Sequence, residues 1–327
     1  MAQARGHGVT GLDVGYFEDC VTRPQAGGVA DAQILRDIRD VAAADLEGID
    51  AIVHLAGLSN DPMGELNPGL TYDINLESTL KLARLAKAAG VGRFVFASSC
   101  SIYGAAGGAG QLDETAPLEP VSAYAVSKAR SEEGLLALAD ADFSPVFMRN
   151  ATAYGLGSRP RFDLVVNNLA GWAFATGAVR VMSDGTPWRP LTHIEDISLA
   201  ALCAAEAPRD AVHGQAFNIG RPDANYQVKD IAQAVLAGFP GARLQITGET
   251  GGDPRSYRVD FSKALNGLPG FAPQWTLERG VAEVARWLKA DGLGAEAFDS
   301  RLFIRLKQLR HGMERGELNG ELRRLPV

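Results

Sequence analysis

The chain has 327 residues, room for one large or two modest domains, and its 46% hydrophobic and 22% charged residues are those of an ordinary globular protein. A net charge of −7, with no basic stripe interleaved with aromatics, argues against a nucleic-acid partner. No apolar run reaches the ~18 residues of a membrane span, no signal peptide opens the chain, and Cys20, Cys100 and Cys203 have neither disulfide nor metal-ligand spacing. A cytoplasmic protein with no membrane partner and no metal is expected.

In chain order, residues 8–13 read as a short strand ending in Asp13. Asp37-Ile38-Arg39-Asp40 and a short stretch at 43–46 lead to an apolar strand over 49–57, which carries His54 and ends in Gly57. A histidine inside such a strand is expected to be a satisfied core residue. Residues 58–69 are rich in turn formers and leave the strand on the presumed ligand side. Helical spacing resumes through Tyr72, Ile74, Leu76, Leu80, Leu82 and Leu85 and ends at Gly90, with Asn75 a polar residue inside it. Residues 93–98 form a buried strand, and Ser98 and Ser99 follow at its carboxyl end, where open α/β sheets place their ligands. The glycines of 104–110 open no helix, and that stretch reads as a mobile loop.

The stretch 122–128 then carries Tyr124 and Lys128, four apart at the start of a helix. Residues four apart share a helix face, so the Lys128 ammonium can lie beside the Tyr124 phenol. A fixed cation lowers the phenol's ordinary pKa of about 10 and makes Tyr124 a usable proton acceptor near neutrality. A lone Tyr-x-x-x-Lys is a weak signal; Ser99, on a strand end 25 residues earlier, strengthens it. At these residues the chain resembles the extended short-chain dehydrogenase/reductase family of nucleotide-sugar epimerases and dehydratases. In that family a strand ending Ser-Ser-x-x-x-Tyr-Gly precedes a helix with Tyr-x-x-x-Lys.

The resemblance implies a Rossmann-like, doubly wound parallel α/β sheet with a smaller α/β substrate-binding lobe. The cofactor domain would take residues 1–150 and 190–220; the lobe and C-terminal helices would take 151–189 and 221–327. Ser99, Tyr124 and Lys128 would be the catalytic triad. NAD would be held by Asp13, Asp37, Ile38, Leu55, Ala56, Gly57, Asn75 and Lys128. Asp13 would bond the ribose hydroxyls and repel a 2′-phosphate, favouring NAD over NADP, although a strand-ending Asp is as often a turn residue. The nucleotide-diphosphate sugar would meet Ser101, Thr152, Asn167, Arg189 and Arg255 or Arg258, in a homodimer. Trp188 beside Arg189 suggests a packed arginine there.

Two features depart from the family pattern. The fold needs a first strand and a Gly-x-x-Gly-x-x-Gly turn about 20 residues before Asp13, and the twelve residues present hold neither. The sheet is therefore expected to lack its first strand, and the chain to be a shortened reading of a longer one, binding NAD weakly. Thr152 and Ala153 stand where the family usually has Asn and Pro, so the sugar cannot be carried over.

The rest alternates as the fold requires: strand 145–150, helix 163–177, strand 179–182, helix 195–207, strand 216–220, helix 228–236, strand 244–246 and helix 276–289. Leu302, Phe303, Leu306, Leu309 and Met313 then mark a docked amphipathic helix. The expected reaction is epimerisation by hydride transfer to NAD and return. A 4,6-dehydratase would need an acid and a base where this chain has Cys100 and Ser101, which supply no carboxyl groups. A reductase using Cys100 for proton transfer, or a non-catalytic NAD-fold binding protein, are the other readings.

Overall fold

The structure, a computed structural model, describes residues 1–23, 30–59, 64, 67–106, 110–248, 255–290, 294 and 297–325. Residues 60–63, 65 and 66 of the expected turn segment 58–69, residues 107–109 of the expected loop 104–110, and residues 252–254 just before Arg255 lie outside them. Among the described residues no helix is long and apolar enough to cross a membrane.

The strands in chain order are β1 (Thr10–Asp13), β2 (Ala32–Leu35), β3 (Ala51–His54), β4 (Arg93–Ser99), β5 (Gln111–Leu112), β6 (Ser144–Asn150), β7 (Thr152–Tyr154), β8 (Ala178–Val181), β9 (Trp188–His193), β10 (Ala216–Ile219), β11 (Asn225–Gln227), β12 (Arg243–Ile246) and β13 (Arg258–Val259). The main helices are α1 (Pro68–Tyr72), α2 (Ser78–Ala88), α3 (Ala123–Leu136), α4 (Val165–Thr176), α5 (Ile194–Glu206), α6 (Val228–Gly238), α7 (Leu277–Ala290) and α8 (Arg305–Glu314).

A parallel sheet ordered β3-β4-β6-β10 forms the centre. β4 and β6 are buried on both faces, which is why Phe94, Val95, Phe96 and Val146, Phe147, Met148 run apolar without alternation. Helices between successive parallel strands make the fold doubly wound α/β. α1 and α2 are one helix interrupted by a π-turn at Asp73–Glu77, which carries the buried Asn75.

β1 and β2 pair in parallel as a separate two-stranded sheet. Among the described residues no main-chain ladder joins β1 to β3. β3 is an edge, with Val53 37% and Leu55 just beyond it 63% exposed. Side chains, together with the Thr22 and Arg23 N–H groups on the Ser158 carbonyl, secure β1–β2 to the body. Arg39, its side chain 4% exposed, grips both Asp37 oxygens (3.0 and 2.6 Å), reaches Asp73 (3.3 Å), and donates to the carbonyls of Glu321 (2.9 Å) and Leu322 (3.3 Å). Tyr16 donates its hydroxyl to the Leu322 carbonyl, and Arg323 pairs with Asp40 at 2.6 Å. The amphipathic C-terminal helix is α8; Leu309, Leu318 and Leu322 pack into the core around Ile38, Leu58 and Phe94, beside Tyr16 and Phe17. The C-terminal segment from Leu306 on thus packs beside β3 and β4, while Phe303 just before α8 packs with Phe162 and Val284 in the second lobe, the grouping 221–327 expected from sequence.

That lobe packs α4, α6 and α7 on β8–β12 and on the antiparallel β9–β11 pair, around Phe162, Leu169, Val235 and Val284. His54 is buried and satisfied, its Nε2 2.8 Å from Thr79 Oγ1, and burial pushes its pKa down to about 3. Gly104 is a constrained turn: its φ is +49°, and a Cβ there would stand 1.8 Å from the Glu119 carbonyl oxygen. Few ladder bonds hold β1–β2 to the body, so local opening should begin there. Amides of β1 and β2 are expected to exchange with deuterium at least ~10-fold faster than those of β4 and β6. Equal protection of the two sheets would show that they open as one unit.

Candidate active site

The carboxyl ends of β4 and β6 open into a cleft of about 390 Å³ whose lining includes Leu55, Ser99, Ser101, Tyr124, Lys128 and Thr152, with Arg161, Arg189 and Arg255 at its polar wall. α3 sets the two key side chains. Its N-cap Ser122 accepts the Ala125 N–H (3.2 Å), so the helix starts just before Tyr124. Ser127 and Ser131 pack it against the π-turn; the Asn75 amide donates to Ser127 Oγ (3.3 Å), and Ser131 Oγ donates to the Asn75 carbonyl (3.2 Å).

Lys128 is only 5% exposed. Its ammonium donates to the Ala97 carbonyl at 2.7 Å and lies 4.6 Å from the Phe96 ring centroid and 5.9 Å from that of Tyr124. Burial pulls its pKa down to about 8, partly opposed by Glu132 one turn on. Glu132 is in turn held by Arg149 of β6 through a buried ion pair at 2.8 Å. Ser99 Oγ accepts the Ser101 N–H at 3.1 Å, so its own hydrogen remains available for donation into the cleft. Gly64, from the turn-rich segment, lies against Tyr124; a Cβ on it would be 3.1 Å from the Tyr124 Cβ.

The residues assigned to the cofactor divide. The Asn75 amide clamps Leu58, accepting its N–H (2.7 Å) and donating to its carbonyl (3.0 Å). Gly57, at φ +150°, passes so close that a Cβ would sit 2.9 Å from Asn75 Oδ1. This cradle and the exposed Leu55 fit close backbone approach by a flat ligand beside Lys128; Ala56 is half-buried against the core. Asp13 is exposed at the end of β1 and accepts the Gly15 N–H at 2.6 Å, the geometry of a turn residue, which leaves its carboxylate accessible. Asp37 is a different matter: Arg39 holds both its oxygens, and Ile38 is 8% exposed within the core. No described residue supplies a glycine turn for a pyrophosphate before Asp13. Of the residues assigned to NAD, Asp13, Leu55, Gly57, Asn75 and Lys128 are placed where a ligand could meet them or their backbone, and Asp37 and Ile38 are not.

The residues assigned to the substrate divide as well. Ser101, Thr152, Arg189 and Arg255 line the cleft, and Arg189 donates to the carbonyls of Trp188 (2.9 Å) and Arg255. Arg258 stands 5.2 Å from the Trp188 ring centroid. Asn167 is 1% exposed and spends its amide on Gly155 (3.1 and 2.9 Å) and the Arg161 carbonyl (2.9 Å), pinning the loop 155–161 behind the cleft. Cys100 is 1% exposed, donates to the Arg149 carbonyl at 3.1 Å, and burial pushes its pKa up, so it is a packed thiol.

Arg161 and Asn150 line the cleft without having been assigned to the site from sequence, and Ser98 was read only as a strand-end residue. Arg161 is fixed by Asp163 (3.0 and 2.9 Å) and donates to Ser59 Oγ (2.8 Å). Its signal was present, in an arginine-bearing loop after β7. Asn150 and Ser98 also line the cleft, and Asn150 Oδ1, Ser98 Oγ and Ser101 Oγ are buried without a hydrogen-bond partner. Only the strand register, which sets Ser99 opposite Asn150, brings these together.

The sequence and fold match known proteins over most of their length. The UDP-glucuronate 4-epimerase of Thermodesulfobacterium geofontis is 28% identical over 250 residues, 74% of this chain and 73% of that protein. The UDP-glucose 4-epimerase of Mycolicibacterium smegmatis is 28% identical over 299 residues, 88% of this chain and 92% of that protein. Among solved structures, MoeE5 in complex with UDP-glucose and NAD superposes with a TM-score of 0.74 at 28% identity, covering 88% of this chain and 92% of that one. The model of the NAD dependent epimerase/dehydratase family matches residues 1–220. With the Ser–Tyr–Lys set gathered at one strand end on a doubly wound sheet, the chain belongs to the NAD-dependent epimerase/dehydratase family.

Proposed function

We propose that the protein is an NAD-dependent nucleotide-sugar epimerase, and the observation that carries this reading is the buried Lys128 beside Tyr124 in the cleft that Ser99 and three arginines share. Tyr124 takes the proton of a sugar hydroxyl as the carbinol carbon is oxidised. Ser99 donates its free hydrogen to the same oxygen, since its lone pair already holds the Ser101 N–H. Lys128 uses one donor on Ala97 and keeps two for a ribose, while its charge favours the Tyr124 phenolate. When bound, NAD supplies the hydride acceptor and then the donor. Return of the proton from Tyr124 after the ketone has turned its other face completes the inversion. Arg189 and Arg255 hold the diphosphate, whose paired oxygens suit guanidinium forks.

Dehydration is disfavoured by the same cleft. Asp163 is its one carboxylate among the described lining residues, and Arg161 holds both oxygens. A purely binding role gives no reason to bury an ammonium beside a tyrosine at this cost. UDP-glucose and UDP-glucuronic acid, named in the relatives, are the first substrates to test, with epimer formation followed by proton NMR. Tyr124→Phe should lower turnover roughly 10²-fold or more while nucleotide-sugar affinity stays nearly unchanged. Turnover at the parental rate would remove Tyr124 from its role.

The charge on Lys128 gives a second test. Its folded pKa of about 8 lies below the unfolded value of about 10.4, so between these the unfolded chain binds more protons and stability rises with pH. Lys128→Met removes the buried charge. Its gain in melting temperature over the parent should be greatest below pH 8 and shrink toward pH ~10.4. A gain independent of pH would mean that Lys128 is not held down by burial. Asp13 gives a third: NAD should bind about 10-fold or more tightly than NADP, with the gap narrowed in Asp13→Ala. Equal affinity of the parent for both cofactors would overturn the assignment.

A further inference from the structure

Behind the cleft wall, segments 17–23, 156–163 and 300–305 converge. The Thr22 and Arg23 N–H groups donate to the Ser158 carbonyl (both 3.1 Å), the Arg23 side chain to the Leu156 carbonyl (2.9 Å), and Cys20 Sγ to the Arg301 carbonyl (3.5 Å). At their meeting point is Arg305, the first residue of α8, 8% exposed. Its guanidinium stacks 4.3 Å from the Phe17 ring and donates through Nη2 to the Arg159 carbonyl at 3.0 Å. Nη1 is buried with no partner, as are the hydroxyls of Thr22 and Ser300 on two of the converging segments. No carboxylate forms an ion pair with Arg305 or Arg159 among the described residues. The nearby Asp163 is already committed to Arg161, and Asp19 faces Arg301 at 3.8 Å. The N-terminus of α8 has no side-chain cap.

A buried guanidinium is expected to be paired, because an uncompensated charge out of water is strongly unfavourable. Here burial, together with the like charges of Arg161 and Arg159, pulls the Arg305 pKa down to about 10, the response of a cation lacking its counter-ion. Polar donors of one sign, two unpartnered hydroxyls and an uncapped helix start match the oxygens of a tetrahedral anion.

We propose that Arg305, with Arg159 and the hydroxyls of Thr22 and Ser300, forms a phosphate-binding subsite distinct from the Ser99–Tyr124–Lys128 cleft. It lies between the loop that follows Asp13 and the loop that carries Arg161, so the phosphate can belong to the dinucleotide, to the nucleotide sugar, or to a free anion. The subsite stands independently of the catalytic assignment.

Inorganic pyrophosphate, titrated calorimetrically into the full chain at constant ionic strength, tests it. Saturable binding is expected, weakened about tenfold or more in Arg305→Gln. The same variant without ligand should melt no lower than the parent, because it loses an unpaired buried charge. Arg159→Gln, on a partly exposed loop, should weaken binding about threefold or more and decides the matter if Arg305→Gln does not fold. NAD and UDP titrated into the same variants assign the source: the ligand whose affinity falls is the one whose phosphate occupies the subsite, and a loss confined to pyrophosphate assigns it to a free anion. Tyr124→Phe should bind pyrophosphate like the parent, so failure of the catalytic assignment and failure of the subsite give different results. Absence of saturable binding to the parent, or undiminished affinity in the arginine variants, would overturn the proposal.

Discussion

One hydrogen bond fixes the geometry on which the cleft depends: the Lys128 ammonium on the Ala97 carbonyl, 2.7 Å away and shielded from water. An ammonium in that position is costly to desolvate, and the bond ties α3 to the end of β4 where the offset is greatest. Tyr124, one turn earlier on the same face, is thereby carried to the strand end that bears Ser99. Glu132, one turn later, is anchored to β6 through Arg149, so the helix is held at both ends of its buried face. The small residues Ser127 and Ser131 let α3 approach the π-turn closely enough for Asn75 to reach across and clamp Leu58. The elements that carry Ser99, Tyr124, Lys128 and Leu58 are thus positioned by one connected set of buried polar contacts.

The β1–β2 pair is organised by a different device. Among the described residues β1–β2 has no ladder to β3, and Arg39 is a main tie, gathering Asp37, Asp73 and two carbonyls of the C-terminal segment into one point. Arg39 was passed over in Asp37-Ile38-Arg39-Asp40, where the resemblance drew attention to Asp37 and Ile38 as NAD contacts. Both are instead committed within the protein, Asp37 to a guanidinium and Ile38 to the core. The C-terminal helix was legible as amphipathic, but its partner was not. Periodicity shows that a helix has an apolar face without showing which of two lobes supplies the complementary surface.

The charge of the cleft also depends on tertiary neighbours. Arg161, Arg189 and Arg255 come from three segments far apart in sequence and converge on a site in a chain whose net charge is −7. Their convergence opposes the overall field and concentrates anions where the fold needs them. Arg258, three residues from Arg255, is drawn instead over Trp188, because successive residues on an extended segment cannot all face one way.

The sequence by itself determined the local elements and the chemistry tied to short spacings. Apolar runs of strand length gave buried parallel strands, and Tyr-x-x-x-Lys on a helix put Tyr124 and Lys128 on one face. What only the tertiary structure decided was which polar groups remain available. Asn167, Asp37 and Cys100 have the right chemistry for a site but are consumed by internal hydrogen bonds or burial, while Arg161 and Asn150 reach the cleft through loop packing and strand register. Hydrogen-bond capacity is a property of the residue type; whether a neighbour has already used it is set by segments brought together across the whole fold.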